Sequence, residues 1–286
     1  MKLNDRVTII TGAGSGIGAA CARAFAQRGA KVVVVDRNAA GAQQVAQDIG
    51  GLAIACDIGS EEQVNGLVER TQRELGPVDV FFSNAGIATG NDPLSTPLDV
   101  WADQWQVNLM SHVYAVRAVL PGMLQRGEGY LLHTASMAGI LTSAGNLPYA
   151  VTKHAVVGLA EWLSVTYHDQ GIRVGLLAPL GVRTPMLGPT DSAFARNFAG
   201  PIKEPEDVAQ MVLEAIDQER FLILTDPLAQ KWMNHKSSDL ERWLQGMRKL
   251  QKTMDELKGE RPARLWKGLV ATVDVGGGCR LSGGLV

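Results

Sequence analysis

Short runs dense in valine, isoleucine and leucine alternate along the chain with longer stretches whose apolar residues recur every three or four positions. The runs fall at 7–11, 31–36, 52–56, 78–83, 130–135, 172–178 and 221–225. The helical period occupies 17–28, 39–49, 61–75, 101–125, 149–169 and 205–218. The run from Lys31 to Asp36 has four consecutive valines and no polar face. A strand that is apolar on both sides belongs in a parallel sheet covered by helices on both faces. Seven strands with six intervening segments predict an α/β chain with a doubly wound, seven-stranded parallel sheet, not an eightfold barrel.

Residues 226–260 read as a helical C-terminal extension. Asp226-Pro227 is an N-cap followed by proline at the first helical position, and Ser238-x-x-Glu241 is a capping box. Leu240, Trp243, Leu244, Met247, Leu250, Met254 and Leu257 form an amphipathic stripe. Such a stripe is expected to bury itself on the parent domain or on a sister subunit. The glycine-rich residues 261–286 read as a flexible tail.

Composition narrows the function classes. Apolar residues are 46 % and the net charge is −2, so the chain can build a core and offers no basic excess to nucleic acid or to an anionic membrane. No run of eighteen apolar residues and no signal-type apolar segment occurs, which points to the cytoplasm. Cys21, Cys56 and Cys279 are odd in number and share no metal-ligand spacing. His112, His133, His154, His168 and His235 form no ligand pattern, so no metal is expected and each reads as a core or surface histidine.

The 32 glycines of 286 residues exceed the average of about 7 %. Four of them lie in Thr11-Gly12-Ala13-Gly14-Ser15-Gly16-Ile17-Gly18, between the first strand and the first helix. Glycines there let the backbone turn sharply and approach a pyrophosphate, whose charge meets the helix N-terminus. Asp36 ends the second strand, eighteen residues after Gly18. A carboxylate in that place accepts hydrogen bonds from both adenosine ribose hydroxyls and repels a 2′-phosphate, which predicts NAD. Arg37 follows at once, but the carboxylate occupies the place a phosphate would need.

With Asn84-Ala85-Gly86 after the fourth strand, Asn108 in the long fifth helical segment, Ser136 after the fifth strand and Tyr149-x-x-x-Lys153 thirteen residues later, the chain resembles the short-chain dehydrogenase/reductase family over roughly residues 4–225. The glycine spacing resembles the single-domain branch. The resemblance implies a Rossmann-like domain over 1–225, combining catalysis and dinucleotide binding. It assigns cofactor contacts to Gly12, Ser15, Gly16, Ile17, Gly18, Asp36, Arg37, Asp57, Ile58, Asn84, Ala85, Gly86, Tyr149, Lys153, Pro179, Val182 and Thr184. It also implies that Asn108 anchors a proton-relaying water. Asp57 is placed by the resemblance beside the adenine amino group, and a helix N-cap for 59–75 is an equal alternative. Asn84 by resemblance steadies the central sheet near the ribose. One departure stands out. The family usually has Pro-Gly-x-Val-x-Thr after the sixth strand, whereas this chain has Pro179-Leu180-Gly181-Val182-Arg183-Thr184.

The chemistry follows from residue types. Tyr149 and Lys153, four apart on a helix, share a face. A nearby ammonium, aided by a positively charged oxidised nicotinamide, is expected to lower the phenol's pKa so that it takes a hydroxyl proton as hydride leaves the same carbon. Ser136 would hold the substrate oxygen, and Lys153 the nicotinamide ribose. Met137, Leu141, Leu147 and Met186 join Ser136 and Tyr149 as substrate contacts. Ile87, Ala88, Ile140, Leu187, Phe194 and Phe198 complete an apolar lining with Asp191 and Arg196 as its few charges. A small lipophilic secondary alcohol or ketone suits it. The loop 185–203, with prolines at 185, 189 and 201, is expected to close over the pocket. The resemblance adds a homodimer or homotetramer paired through the two long helices. The alternatives are an NADPH-dependent 3-oxoacyl reductase, opposed by Asp36, and a non-catalytic dinucleotide sensor, opposed by the intact Ser136, Tyr149 and Lys153.

Overall fold

The computed structural model describes residues 1–143, 145–189 and 199–259. The strands are β1 (Val7–Thr11), β2 (Lys31–Asp36), β3 (Leu52–Ala55), β4 (Val80–Ser83), β5 (Gly129–Thr134), β6 (Ile172–Ala178) and β7 (Leu222–Leu224). They form one sheet in the order β3-β2-β1-β4-β5-β6-β7, with every pairing parallel. The chain builds outward from β1 to β3, then crosses back and continues from β4. The β1/β4 boundary is therefore the switch point, and a crevice opens there at the carboxyl ends of the strands.

The helices are α1 (Gly16–Gln27), α2 (Ala39–Ile49), α3 (Glu61–Leu75), α4 (Leu98–Trp105), α5 (Ser111–Arg126), α6 (Ala138–Leu141), α7 (Leu147–Tyr167), α8 (Pro205–Asp217), α9 (Pro227–Ser238) and α10 (Leu240–Gly259). Successive strand residues point to opposite faces, so β1 feeds two cores. Ile10 packs with Phe25 of α1, Val45 of α2 and Val212 of α8. Ile9 packs with Leu67 of α3, Val119 of α5 and Val156 of α7. A third cluster joins Met137, Leu141 and Ala178 to Ala229, Trp232, Met233 and Trp243 of the C-terminal helices.

Three local expectations are corrected. The single helix over 101–125 is α4 and α5 joined by a π-helical turn at Gln106–Met110. The helix expected from 59 starts at Glu61, where the Ser60 hydroxyl accepts from Gln63 N–H at 3.3 Å, so Asp57 is not its N-cap. Ser238 forms no capping box. Its hydroxyl donates to the His235 carbonyl, and Asp239 accepts from Arg242 N–H at 2.9 Å. Asp226 does cap α9 through Leu228 N–H. The tail at 261–286, the side chains of Met254 and Leu257, and residues 190–198 of the expected lid lie outside the described residues. No helix among the described residues is long and apolar enough to cross a membrane.

Two glycines separate backbone necessity from helix propensity. Gly171 enters β6 with φ +84°, and a Cβ there would lie 1.8 Å from the Gly127 carbonyl oxygen. Gly66 is exposed inside α3 with nothing within 4 Å of a Cβ. Gly171→Ala is expected to lose more than about 2 kcal/mol, and Gly66→Ala to gain about 0.5–1 kcal/mol, in urea unfolding. Equal effects of the two would contradict this account.

Candidate active site

The crevice at the switch point is built from backbone. Gly12 has φ +63°, and a Cβ on it would lie 2.8 Å from Ala85 Cα, so the glycine loop rests directly on the segment after β4. A Cβ on Gly18 would meet the Gly12 carbonyl oxygen at 2.3 Å. Thr11 Oγ1 accepts from Asn84 N–H at 3.0 Å and from Ala85 N–H at 3.1 Å. The side chains of Asn38, Ser60, Asn146 and Asp226 cap α2, α3, α7 and α9, whereas Ser15 leaves the N-terminus of α1 without a side-chain cap, as Pro97 and Glu204 leave those of α4 and α8. The first amides of α1 thus face the crevice with a positive end and room for an anion.

Asp36 is held at the edge of this loop. Its Oδ2 accepts from Gly14 N–H at 3.0 Å and its Oδ1 from Asn38 N–H at 2.9 Å. Each carboxylate oxygen retains acceptor capacity for a diol. Arg37 is exposed beside it. Asp57 Oδ1 accepts from Gly59 N–H at 2.9 Å, and its backbone N–H donates to Gln63 Oε1, which fixes the turn after β3. Ile58 is buried there.

The second half of the site brings together Ser136, Tyr149, Lys153 and Asn108. Asn146 caps α7 by accepting from Tyr149 N–H at 3.1 Å, which places the tyrosine in its first turn. The Ser136 hydroxyl is close enough to the Tyr149 phenol to favour its ionised form. Lys153 is buried, its Nζ donates to the Thr134 carbonyl at 2.8 Å and lies 5.8 Å from the Tyr149 ring centre. Asn108 sits in the π-helical turn. Its Oδ1 accepts from Ile87 N–H at 2.8 Å, and its Nδ2 donates to the Ile87 carbonyl at 2.9 Å and approaches Thr152 Oγ1 at 3.2 Å. The amide of Asn108 is therefore engaged in clamping the irregular segment after Gly86.

Burial works against both charges. It raises the Tyr149 phenol above its ordinary value, with the Ser136 hydrogen bond opposing, and it lowers the Lys153 ammonium to about 8. The expected lowering of the tyrosine by the protein's own lysine is thus corrected. The ammonium is turned to a carbonyl instead of the phenol oxygen, and desolvation dominates.

The substrate-facing residues divide. Leu147 is half-buried and Met186 is 50 % exposed, whereas Met137 and Leu141 are buried against the C-terminal helices. Leu180 also turns that way. Its methyls lie 3.2 and 3.4 Å from where a Cβ of Gly200 would stand, in the cluster with Trp232. Pro179 accepts from Met137 N–H at 3.0 Å. Val182 pairs with Lys203 as an isolated bridge, which ties both ends of the loop 185–203. Thr184 lies against Gly16, so the glycine loop and this segment meet. Phe194, Phe198, Asp191 and Arg196 are outside the described residues.

Residues 6–194 match the family described as short chain dehydrogenase. The chain belongs to this family. This short-chain dehydrogenase is an oxidoreductase, and its relatives bracket several chemistries. It is 33 % identical over 251 residues to 1-deoxy-11-beta-hydroxypentalenate dehydrogenase of Streptomyces exfoliatus, covering 85 % of this chain and 90 % of that one. It is 34 % identical to the cyclohexanol dehydrogenase of Acinetobacter sp. (strain SE19), covering 74 % and 87 %. A short chain dehydrogenase/reductase from Burkholderia phymatum, solved in complex with NAD, superposes with a TM-score of 0.77 at 29 % identity, covering 84 % and 96 %.

Four supporting roles escaped the sequence reading, one of them at Thr11 of the glycine loop. Thr11, Thr134, Gln104 and Thr152 carry the contacts that orient Asn84, Lys153 and Asn108. Gln104 lies four residues before Asn108 and Thr152 next to Lys153, so helical spacing and adjacency were the available signals.

The buried ammonium has a consequence for stability. Lys153 holds its proton less tightly in the folded chain than the ordinary 10.5, so the unfolded chain binds more protons between about 8 and 10.5. Stability from this group therefore rises with pH through that window, and below it the charge costs on the order of 3 kcal/mol. Lys153→Met is expected to raise Tm at pH 7, with the gain vanishing towards pH 10. Scanning fluorimetry across pH checks this, and a lower Tm for the variant at pH 7 would contradict it.

Proposed function

We propose that this enzyme uses NAD to interconvert a hydrophobic secondary alcohol and its ketone. The observation that carries the reading is the convergence of Ser136 and Tyr149 at the crevice, close enough for the serine hydroxyl to act on the phenol, with Lys153 buried beside them and held by the Thr134 carbonyl. The close approach of Gly12 to Ala85 and the uncapped start of α1 form a cradle suited to a dinucleotide pyrophosphate. Asp36, through its remaining lone pairs, takes the adenosine ribose diol and repels a 2′-phosphate.

When bound, the nicotinamide accepts or returns the hydride, and its oxidised form brings a positive charge. Ser136 holds the substrate oxygen beside Tyr149. Tyr149 Oη takes the hydroxyl proton in oxidation and returns it in reduction. Lys153 binds the nicotinamide ribose and keeps a positive charge near the phenol. Asn108 fixes the Ile87 backbone at the edge of the pocket. Leu147 and Met186, the partly exposed side chains near the relay, are apolar, and the named relatives acting on cyclohexanol and on a hydroxypentalenate support an alicyclic substrate. Against an acyl-carrier substrate, the cations beside the loop are paired: Arg183 with Glu204 at 2.7 Å and Lys203 with Asp226 at 3.6 Å. Pairing of two copies through the long helices is supported by Trp162 and Val165, exposed on α7 at 58 % and 86 %.

The test is a panel of secondary alcohols, cyclohexanol included, with NAD and NADP, read by absorbance of the reduced cofactor. NAD is expected to be preferred, and Asp36→Ala to shift the ratio towards NADP by about tenfold or more, with Arg37 free to meet the phosphate. A wild-type preference for NADP would sink the cofactor assignment. In the same assay Tyr149→Phe is expected to lower kcat by about 10²–10⁴-fold while NADH binding changes little. Near-normal turnover in that variant would point to another base.

A further inference from the structure

Two histidines that the reaction does not use sit directly behind the relay. His112 of α5 and His133 of β5 are buried, their Nδ1 atoms are 2.9 Å apart and their rings stack at 5.2 Å with 22° between planes. Burial, His133 and the Lys153 ammonium push His112 well below its ordinary value, and burial pushes His133 down to about 4. Both rings are therefore neutral at pH 7. One Nδ1–H donates to one bare Nδ1, so the two rings must be opposite tautomers. Neither Nε2 has a partner among the described residues. A polar pair with two unmet ends is an expensive way to fill an apolar core, which calls for a role beyond packing.

The contacts around the pair close into a ring. His133 precedes Thr134, whose carbonyl accepts from Lys153 Nζ. Thr152, next to Lys153, lies 3.2 Å from Asn108 Nδ2 through its hydroxyl. Asn108 stands one turn before His112, and His112 returns to His133. Six residues from β5, α7, the π-helical turn and α5 are thus linked, and the only link supplied by neither chain adjacency nor the relay residues themselves is the one between the imidazoles. We propose that the His112–His133 pair is a positioning element that holds Lys153 and Asn108 in register for the proton relay. The hydrogen bond is directional and the stacked rings resist shear, so together they fix the distance between β5 and α5.

This inference rests on the dehydrogenase reading of Lys153 and Asn108, and its test separates the two. Single variants such as His133→Leu leave His112 with a bare buried nitrogen and are expected to unfold at lower temperature. The double variant His112→Phe/His133→Leu removes both polar rings and is expected to recover much of that Tm. If the pair positions the relay, the recovered protein still has kcat lowered about tenfold or more, with KM for NAD within about threefold, because small displacements cost turnover before binding. Lys153 is read without substrate, by the 13Cε titration of lysine-labelled protein. A loosened Thr134 carbonyl stabilises the ammonium less, so the titration in the double variant is expected to fall by about half a pH unit or more. His133→Asn, which keeps a hydrogen-bonding head, is expected to show smaller changes in the same direction, and it carries the readings if the double variant does not fold. An unchanged or raised Lys153 titration in the folded variant overturns the proposal, as does wild-type kcat. Absence of turnover in the wild type counts against the dehydrogenase reading alone, since the lysine titration then decides the positioning role.

Discussion

At the carboxyl ends of β1, β4 and β5, three strands are tied by the side chain of Asn84. Its Nδ2 donates to the Thr11 carbonyl at 3.0 Å, and its Oδ1 accepts from the Thr134 hydroxyl at 3.1 Å. This happens where the chain switches sides of the sheet and where the strand ends would otherwise be left with unpaired polar groups. The glycine loop depends on it, because Thr11 begins that loop. The relay depends on it too, because Thr134 supplies the carbonyl that holds Lys153. One amide therefore sets the spacing between the half of the crevice shaped for a dinucleotide and the half that handles a proton.

The electrostatics of the crevice favour neutrality. Burial raises the phenol of Tyr149 and lowers the ammonium of Lys153, so neither charge is at ease. Lys153 is already buried by the fold itself, while Ser136 and Tyr149 stay partly open to the crevice. A positively charged ring entering such a site acts at low dielectric, where its field on the phenol is far larger than in water. The chain thus accepts a standing cost at one lysine for a site whose proton affinity responds to what is bound.

Much of this was legible in the sequence, for physical reasons. Valine-rich runs buried on both faces gave the parallel sheet away, and the spacing of Gly12, Gly16 and Gly18 placed the loop. Tyr149, Lys153 and Ser136 converge because a helix brings residues four apart to one side and β5 ends beside it. What was hidden depends on competition between near-equal local options. Asp57 and Ser60 are both good caps, and the fold chose the serine while the aspartate closed a turn. Ser238 and Asp239 competed likewise, and the aspartate won α10. The π-helical turn at Asn108 adds one residue to a helical turn, which no apolar period in 101–125 announces. The sign of the tyrosine shift turns on where the lysine points, and that is set by a backbone carbonyl with no signature in residue type. The histidines at 112 and 133 looked like two unrelated core or surface residues because they are brought together only by packing α5 on β5.

Leu180 stands where relatives of this kind usually carry glycine, and it is accommodated by Gly200, whose φ of +68° and missing side chain leave space for its methyls. The two positions are therefore coupled. A side chain at 200 would have to take the left-handed backbone and would also crowd the leucine methyls, so each residue limits what the other can become. The segment beside the crevice is joined to the C-terminal helices like tongue and groove, with the glycine as the groove and the leucine as the tongue.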